Sequence, residues 1–261
     1  MNYNRPIILS IAGFDPCGGA GVLADIKTFE QHQCLGMAVN TSITNQVEDK
    51  FISVDWFSAD DIIKHIKTLT DTYKIDFVKI GIIENLHTLD AIVSFLKQQN
   101  NTITIVWDTV LSASSGFHLI ETIDKNKLED VLKSIYLITP NTNEAKKLSG
   151  IDNELDAANY LATYCNVLLK GGHSETNKGI DFLFTKGETS RTSVSQSKLI
   201  EIQKQTTNII YSKHGSGCIL SSAITANLAL GNDLETACRK SKRYIETILN
   251  SNTNLLAYHV A

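Results

Sequence analysis

Apolar segments of strand length alternate with amphipathic segments along most of this chain. The strand-like segments are residues 7–12, 37–44, 77–83, 103–110, 137–139 and 167–170, and the helical patterns between or after them are residues 22–33, 59–73, 85–99 and 234–249. Several of these strand segments are largely apolar, as in a parallel sheet buried on both faces. Strand–helix alternation of this kind predicts right-handed crossovers. We therefore expect an α/β fold with a mostly parallel central sheet and helices on both faces.

The C-terminal third departs from this alternation. Residues 179–185 and 190–202 have the pattern of two antiparallel strands. The helix predicted at residues 234–249 has an apolar stripe and a basic outer face formed by Arg239, Lys240, Lys242 and Arg243. We expect this helix to pack on the core through the stripe and to expose the four basic side chains.

The composition is ordinary for a globular protein and excludes several classes. The chain has 261 residues, 43% of them hydrophobic, and a net charge of −4 without a long basic run, which argues against a nucleic-acid partner. The apolar N-terminal stretch is too short to cross a membrane and is followed by Asp15 and Pro16, so it reads as a first strand. With three prolines and no low-complexity linker, residues 1–261 are predicted to form one domain.

Cysteine usage indicates a reducing compartment. The five cysteines are odd in number, lie far apart and form no C-x-x-C pair; they are Cys17, Cys34, Cys165, Cys218 and Cys238. This pattern favours a cytoplasmic location and argues against a structural zinc site.

A glycine turn before a small, apolar helix is the main candidate for chemistry. Gly215, Ser216 and Gly217 would leave the backbone N–H groups at the start of that helix open to an anion such as phosphate. Cys218 follows directly, and the cationic neighbours Lys213 and His214 are expected to lower the pKa of its thiol. A helix cap followed by a buried, inert cysteine fits the same residues about equally well.

Polar residues at other strand ends are further candidates. Asp25 lies in the first helix beside a glycine loop, where its carboxylate either binds a ligand hydroxyl or amine or is solvated. Gln46 follows the second strand and could pair with the edge of a heterocycle, although a lone glutamine is more often a loop surface residue. The glycine loop, which begins near Gly13, matches neither a dinucleotide motif nor a P-loop.

Three later strand ends carry groups suited to phosphate and magnesium. Asp108 closes one apolar strand and could hold a metal-bound water, or simply cap a loop. Asn141 and Glu144 are three residues apart and match a capping box, while Glu144 could also support magnesium from its second shell. Lys170 and the two glycines after it offer a positive charge to a closely approaching phosphate.

Taken together, these segments resemble the hydroxymethylpyrimidine/phosphomethylpyrimidine kinases of thiamine biosynthesis, within the ribokinase-like superfamily. The stretches that carry the resemblance are SIAGFDPCGGAGVLADIKTF, VKIGI, ITPNTNEAKKLSG, LLKGGH and HGSGCILSSAI, in the order in which the family has them. They are spread over most of the chain, so the resemblance does not depend on one motif.

The resemblance implies ATP-dependent phosphorylation of 4-amino-5-hydroxymethyl-2-methylpyrimidine and then of its monophosphate by a homodimer. It implies that Gly215, Ser216 and Gly217 form the anion hole, and that Cys218 replaces the aspartate base of related sugar kinases. It also implies that Asp25 and Gln46 hold the pyrimidine beside Gly13, that Lys170 contacts ATP phosphates with Asn141 nearby, and that Asp108 and Glu144 organise Mg²⁺.

The chain departs from the family pattern at several positions. Phe14 and Cys17 replace two serines of the first loop, Thr109 replaces a proline, and Ser212-Lys213 replaces an Asn-Thr pair. None of these changes removes a proposed catalytic group, but Phe14 is expected to narrow or cover the substrate pocket.

Three other functions fit parts of the sequence. A pyridoxal kinase of the same superfamily is the nearest, and nothing in the sequence distinguishes it. A thiol hydrolase with Cys218 as nucleophile is disfavoured, because the glycines do not have the spacing of a nucleophile elbow. A non-catalytic pyrimidine-binding regulator should have lost the anion-hole glycines or the base, and this chain keeps both.

Overall fold

The computed structural model describes residues 4–111, 123–173, 179–187, 189–190, 193–194, 197–204, 206 and 210–259. The strands are β1 (Ile7–Phe14), β2 (Leu35–Val47), β3 (Lys50–Trp56), β4 (Phe77–Ile80), β5 (Thr104–Trp107), β6 (Leu137–Ile138), β7 (Asn166–Leu169), β8 (Asp181–Phe184), β9 (Thr189–Ser190), β10 (Ser193–Val194) and β11 (Leu199–Ile202). The helices are α1 (Gly21–Gln31), α2 (Ala59–Thr70), α3 (Leu86–Gln99), α4 (Lys125–Leu132), α5 (Thr142–Ser149), α6 (Glu154–Leu161), α7 (Ser216–Ala229) and α8 (Leu234–Leu249).

Nine strands form one sheet in the order β11-β8-β7-β6-β5-β4-β1-β2-β3. The six strands from β7 to β2 are parallel. At one edge β3 pairs antiparallel with β2, and at the other β8 pairs antiparallel with both β7 and β11. The expected mostly parallel sheet is therefore confirmed. The antiparallel pair predicted at residues 179–185 and 190–202 is confirmed for β8 and β11, whereas β9 and β10 form a separate two-stranded sheet.

Alternation along the central strands explains why both faces are covered. In β5, Ile105 and Trp107 pack into one hydrophobic cluster with α2 to α6, whereas Val106 packs into a second cluster with α1, α7 and α8. In β6, Leu137 and Ile138 divide between the two clusters in the same way. Successive side chains point to opposite faces of a sheet, so an apolar strand requires helices on both sides. The prediction of helices on both faces is confirmed.

The β2–β3 hairpin is longer than the sequence pattern indicated. The pattern predicted a strand at residues 37–44 with Gln46 beyond its end, but Gln46 lies inside β2 and pairs with Phe51 of β3. A register shift between Asn45 and Gln46 marks an irregularity in the ladder at this point. The exposed edge strand β3 has mixed polar and apolar residues, which is why no buried-strand signal identified it.

The predicted basic face of α8 is wrong for one residue. Lys242 is buried, and its Nζ donates to Oδ2 of Asp181 at 2.8 Å. The partner comes from β8, 61 residues earlier, so helical periodicity alone could not identify it. In the described part of the chain, no helix is both long enough and apolar enough to cross a membrane.

Candidate active site

A cavity of about 260 Å³ lies where the carboxyl ends of the parallel strands meet the start of α7. Ligands bind at this edge in open α/β sheets, because the loops there leave a crevice. The predicted site residues on its wall are Gly13, Gln46, Asp108, Asn141, Glu144, Lys170, Gly215, Ser216, Gly217 and Cys218. The structure thus brings together all but one of the predicted residues; the exception is Asp25.

The start of α7 is open towards this cavity. No side chain caps the helix, and no acidic residue lies in its first turn, so its first N–H groups keep their hydrogen-bonding capacity. Gly215 adopts φ +75°, and a side chain on it would overlap the carbonyl oxygen of Gly19. Gly215 is therefore required by the backbone and by this close approach, whereas Gly217 leaves space beside Lys170 and Asp108.

Lys170 and Asp108 form an ion pair beside that helix start. Nζ of Lys170 lies 2.9 Å from Oδ1 of Asp108, which also accepts from Oγ1 of Thr139 at 3.1 Å. Burial by itself would raise the pKa of Asp108, but the ammonium groups of Lys170 and Lys79 hold it below its usual value. Oδ2 of Asp108 is buried without a hydrogen-bond partner among the described residues. This oxygen is free to bind a cation.

Glu144 is fixed by the capping box that the sequence predicted. Its Oε2 accepts from the N–H of Asn141 at 2.8 Å, and the N–H of Glu144 donates to Oδ1 of Asn141 at 2.9 Å. Thr109 donates to the same carboxylate at 3.3 Å. Burial raises the pKa of Glu144, although Lys170 opposes this shift. Glu144 therefore combines a structural cap with a place on the cavity wall.

The prediction of a lowered Cys218 pKa is wrong in this structure. Burial raises the pKa of the Cys218 thiol to about 12, against the opposing effect of Lys79. The cationic neighbours in sequence are engaged elsewhere: Lys213 binds Asn252 and Asn254, and His214 binds Asp15. Sequence proximity to a cation is therefore not proximity in space, and Cys218 is a thiol at neutral pH before ligands bind.

Asp25 lies behind the cavity and is not part of its wall, which corrects the expected direct contact with the substrate. It is fully buried, and its two oxygens accept from Nζ of Lys79 at 2.9 Å, from Ser10 at 2.6 Å and from Ser222 at 2.7 Å. The alternative of a solvated helix residue is also wrong. The buried Lys79–Asp25 pair instead ties α1, β4, β1 and α7 together.

The remaining end of the cavity is formed by Gly13, Gln46 and Phe51. A side chain on Gly13 would overlap Ile82 and crowd Oγ of Ser42, so glycine is needed where β1, β2 and β4 converge. Phe14 is not on the cavity wall, contrary to the expectation that it narrows the pocket; Phe51 of β3 is the aromatic residue that lies there.

The sequence did not reveal that six polar residues at or behind the site form three pairs. Besides Lys79–Asp25 and Lys242–Asp181, His214 Nε2 lies 2.9 Å from Oδ2 of Asp15. Asp181 also accepts from the N–H of Gly171, directly after Lys170. The partners are separated by 54 to 199 residues, so only local clues existed, such as the unusual lysine within the apolar strand β4.

Comparisons with known proteins identify the family of this chain. A family model described as phosphomethylpyrimidine kinase matches residues 15–261. A hydroxymethylpyrimidine/phosphomethylpyrimidine kinase from Aquifex aeolicus is 36% identical over 255 residues, covering 94% of this chain and 95% of that protein. One from Staphylococcus aureus is 32% identical, covering 92% and 86%.

Solved structures of related kinases have a similar fold. The crystal structure of a phosphomethylpyrimidine kinase from Clostridium difficile is 31% identical, with a TM-score of 0.73, and covers 92% of this chain and 98% of that one. An ADP complex of a Bacillus subtilis pyridoxal kinase is 26% identical, with a TM-score of 0.75, and covers 94% and 92%. With the family model matching almost the whole chain and the strand-end residues assembled around one cavity, this chain belongs to the phosphomethylpyrimidine kinase family, with the ribokinase-like fold.

Proposed function

We propose that this kinase transfers the terminal phosphoryl group of ATP to the hydroxymethyl group of 4-amino-5-hydroxymethyl-2-methylpyrimidine, and then phosphorylates the resulting monophosphate. The observation that carries the proposal is that the uncapped start of α7 faces the same cavity as Lys170 and Gln46. A phosphoryl group can therefore be held between a cationic end and a substrate end.

Phosphoryl transfer depends mainly on alignment and on neutralising charge. In our proposal the N–H groups of Ser216, Gly217 and Cys218 bind the migrating phosphoryl group, and Lys170 neutralises charge on the nucleotide. Lys170 is held by Asp108 and by the fixed loop at Gly171, so it needs little reorganisation. Ile245 and Leu249 of α8 also line the cavity and would support an apolar nucleotide end. Gln46 would hold the pyrimidine beside Gly13.

Asp108 and Glu144 fit a Mg²⁺ site. The fit rests on Oδ2 of Asp108, a buried carboxylate oxygen without a partner among the described residues, near a second carboxylate. Hard cations such as Mg²⁺ prefer oxygen ligands and keep several waters, so one direct carboxylate and one through water are sufficient. When bound, Mg²⁺ would offset negative charge on the phosphates.

Cys218 is proposed to accept the proton of the substrate hydroxyl. Its thiol must first lose its proton to solvent, and the buried ammonium of Lys79 is the main group that favours the resulting thiolate. The backbone N–H of Gly21 also stabilises it. Asp25 keeps Lys79 charged, because this carboxylate raises the pKa of Lys79 despite complete burial. Lys79 and Asp25 are thus positioning residues for the base.

A coupled assay of ADP release tests the proposed function. It compares hydroxymethylpyrimidine, its monophosphate and pyridoxal at equal concentrations, with Mg²⁺ present, and the product is identified by mass spectrometry. We expect both pyrimidines to give ADP and the phosphorylated product. Turnover of pyridoxal alone, or ADP release independent of the pyrimidine, would refute the proposal.

Pyridoxal phosphorylation is a second candidate. The observation in its favour is the similar fold of the Bacillus subtilis pyridoxal kinase at 26% identity. The same cavity would have to hold a pyridine ring against Gln46 and Phe51. A Gln46→Ala variant separates the two, because the exchange should impair the aminopyrimidine more than pyridoxal if Gln46 pairs with the aminopyrimidine edge.

We further propose that residues 1–261 act as one kinase domain, and that the protein is a cytoplasmic homodimer. Support for a dimer comes from apolar side chains on the edge hairpin and beside it: Ile43, Val47, Ile52 and Phe57 are 37–53% exposed. An exposed edge strand with apolar side chains is a typical site of subunit contact. Sedimentation of the wild type and of an Ile43→Glu/Ile52→Glu variant tests this; two monomeric species would contradict it.

A further inference from the structure

A second group of ligand-type side chains lies beside the phosphate-binding turn. Asp15 and Cys17 belong to the loop between β1 and α1, and His214 precedes α7. Oδ1 of Asp15 is 3.1 Å from Sγ of Cys17, and Oδ2 is 2.9 Å from Nε2 of His214. All three ligand atoms lie within 4.8 Å of one another. A carboxylate, a thiol and an imidazole therefore converge at one point.

We propose that Asp15, Cys17 and His214 form a binding site for a thiophilic divalent cation, with Zn²⁺ as the best fit. Zn²⁺ binds cysteine sulfur, histidine nitrogen and carboxylate oxygen in mixed sets. Three protein ligands leave its fourth position for water. The site differs in its chemistry from the carboxylate pair at Asp108 and Glu144, which suits Mg²⁺.

The two distances from Asp15 are close to those of a tetrahedral ion. Zinc–ligand bonds of about 2.0–2.3 Å place neighbouring ligand atoms about 3.3–3.6 Å apart. Oδ2 of Asp15 lies 3.4 Å from Sγ of Cys17 and 2.9 Å from Nε2 of His214, so these two separations need to open only by about half an ångström or less. Sγ of Cys17 and Nε2 of His214 lie within 4.8 Å of each other. The present hydrogen bonds also orient the groups: the thiol and the imidazole both donate to Asp15, so the two protons that a cation would replace point at the same carboxylate.

The charges balance as well. The ionised carboxylate, one thiolate and one neutral imidazole would neutralise a divalent ion. On binding, the thiol proton leaves to solvent, and the imidazole proton moves from Nε2 to Nδ1 by exchange with solvent, so that Nε2 of His214 coordinates the ion.

The two loops that supply the ligands are already fixed against each other. A side chain on Gly19 would overlap the ring of His214, and one on Gly215 would overlap the carbonyl of Gly19. The N–H groups of Cys17 and Ala20 also donate to Asp15, at 3.1 and 2.8 Å. Preorganised ligands lose less conformational freedom on binding, so the site does not need a folding step.

Spacing rules could not reveal this site. The sequence lacks a C-x-x-C pair and was expected to lack a structural zinc site on that ground. The three ligands are three different residue types, so they form no repeated motif. His214 also lies 199 residues from Asp15 in the sequence. Cys17 supplies the sulfur at a position where the phosphomethylpyrimidine kinase family generally has serine.

Cobalt substitution tests the proposal on the full-length protein. The metal-free protein is titrated with Co²⁺ in excess Mg²⁺, and a thiolate-to-cobalt charge-transfer band in the near ultraviolet is followed to its stoichiometry. We expect one Co²⁺ per chain, displaced by Zn²⁺. Cys17→Ser should abolish the band and weaken Zn²⁺ binding at least about 10-fold. Cys218→Ala, a matched control that removes the other half-buried cysteine, should retain both.

The proposal is overturned if no band forms, if the band persists in Cys17→Ser, or if Cys218→Ala removes it. Serine can keep a hydrogen bond to Asp15, and unchanged circular dichroism of the variant establishes that it folds. A second measurement needs no variant: Zn²⁺ should slow alkylation of Cys17 in the wild type, as located by peptide mass mapping. Alkylation at the same rate with and without Zn²⁺ also overturns the proposal.

Discussion

At the scale of single residues, the chemistry of the site depends on buried charges. Burial raises the pKa of the Cys218 thiol to about 12, and Lys79 is the main group that opposes this shift. Lys79 keeps its charge because Asp25 raises its pKa above the usual value despite complete burial. Cys218 can act as a base only as the thiolate, which the buried ammonium of Lys79 stabilises. The role of Cys218 and the role of Lys79 are therefore testable separately.

Replacing Cys218 by alanine removes the proposed proton acceptor. General-base assistance contributes about 10²–10⁴-fold, so turnover should fall by that order while ATP binding stays unchanged. Steady-state turnover and nucleotide binding by calorimetry measure the two quantities. A Cys218→Ala variant with wild-type turnover would exclude the thiol from the chemistry.

Replacing Lys79 by methionine leaves the Asp25 carboxylate buried without its ion-pair partner. Breaking a buried pair in this way should lower the free energy of unfolding by about 3–5 kcal/mol. Urea unfolding measures the loss, and a Lys79→Met/Asp25→Asn double variant should recover part of it. The matched control is Lys67→Met: its pair with Asp71 is exposed, so the loss should be below about 1 kcal/mol. Equal losses in the two single variants would contradict our account of the buried pair.

At the scale of elements, the start of α7 depends on the loop that precedes α1. Gly215 has φ +75° and lies against Gly19, and both α1 and α7 begin without a side-chain cap. Both helix starts therefore lie at the same cavity, which Gly21 and Ser216 line. The anion site is the product of two elements and not of one motif.

The exchange Gly215→Ala should move this turn. The added methyl group would overlap the carbonyl oxygen of Gly19, so we expect turnover to fall about 100-fold as the anion-binding N–H groups shift. Gly231→Ala at the other end of α7 is the control, because Gly231 has φ +84° but nothing within 4 Å of an added side chain. It should cost only about 1–2 kcal/mol of stability. If both variants have the same turnover, the contact with Gly19 is not what fixes the site.

At the scale of the whole molecule, the C-terminal segment returns to hold the active-site turn. The N–H of His214 donates to the carbonyl of Leu255 at 2.9 Å, and Lys213 donates to Oδ1 of Asn252 at 2.8 Å. The segment continues to His259, whose carbonyl accepts from Gln31 of α1. Residues after the last helix therefore connect α1 with the turn before α7.

This arrangement predicts a loss of stability in mild acid. Burial, with a smaller effect of Lys27, lowers the pKa of His259 from 6.5 to about 4. Below pH 6.5 the unfolded chain binds a proton that the folded chain does not, so the contribution of His259 is complete above this pH and declines as the pH falls towards 4. The decline is at most about 1.4 kcal/mol per pH unit, and it is smaller here because His259 is partly exposed. His259→Leu should flatten the urea-unfolding profile between about pH 6.5 and pH 4; parallel profiles would contradict the assignment.

Much of the fold and most of the site followed from the sequence. Apolar strands such as β5 and the glycine turn at 215–217 are local signals, because side-chain periodicity and backbone freedom are properties of neighbouring residues. Polar residues directly after parallel strands, such as Asp108 and Lys170, then had to meet at one edge of the sheet.

Only the tertiary structure decided which charges are paired and which groups titrate unusually. In the structure Asp25 pairs with Lys79 and does not line the cavity, and Cys17 lies near His214. The pKa of Cys218 is raised, whereas the sequence predicted a decrease. The physical reason is that burial and electrostatic partners depend on residues far apart in the chain. Local sequence thus determined the elements and their order, whereas packing determined the chemistry of the side chains between them.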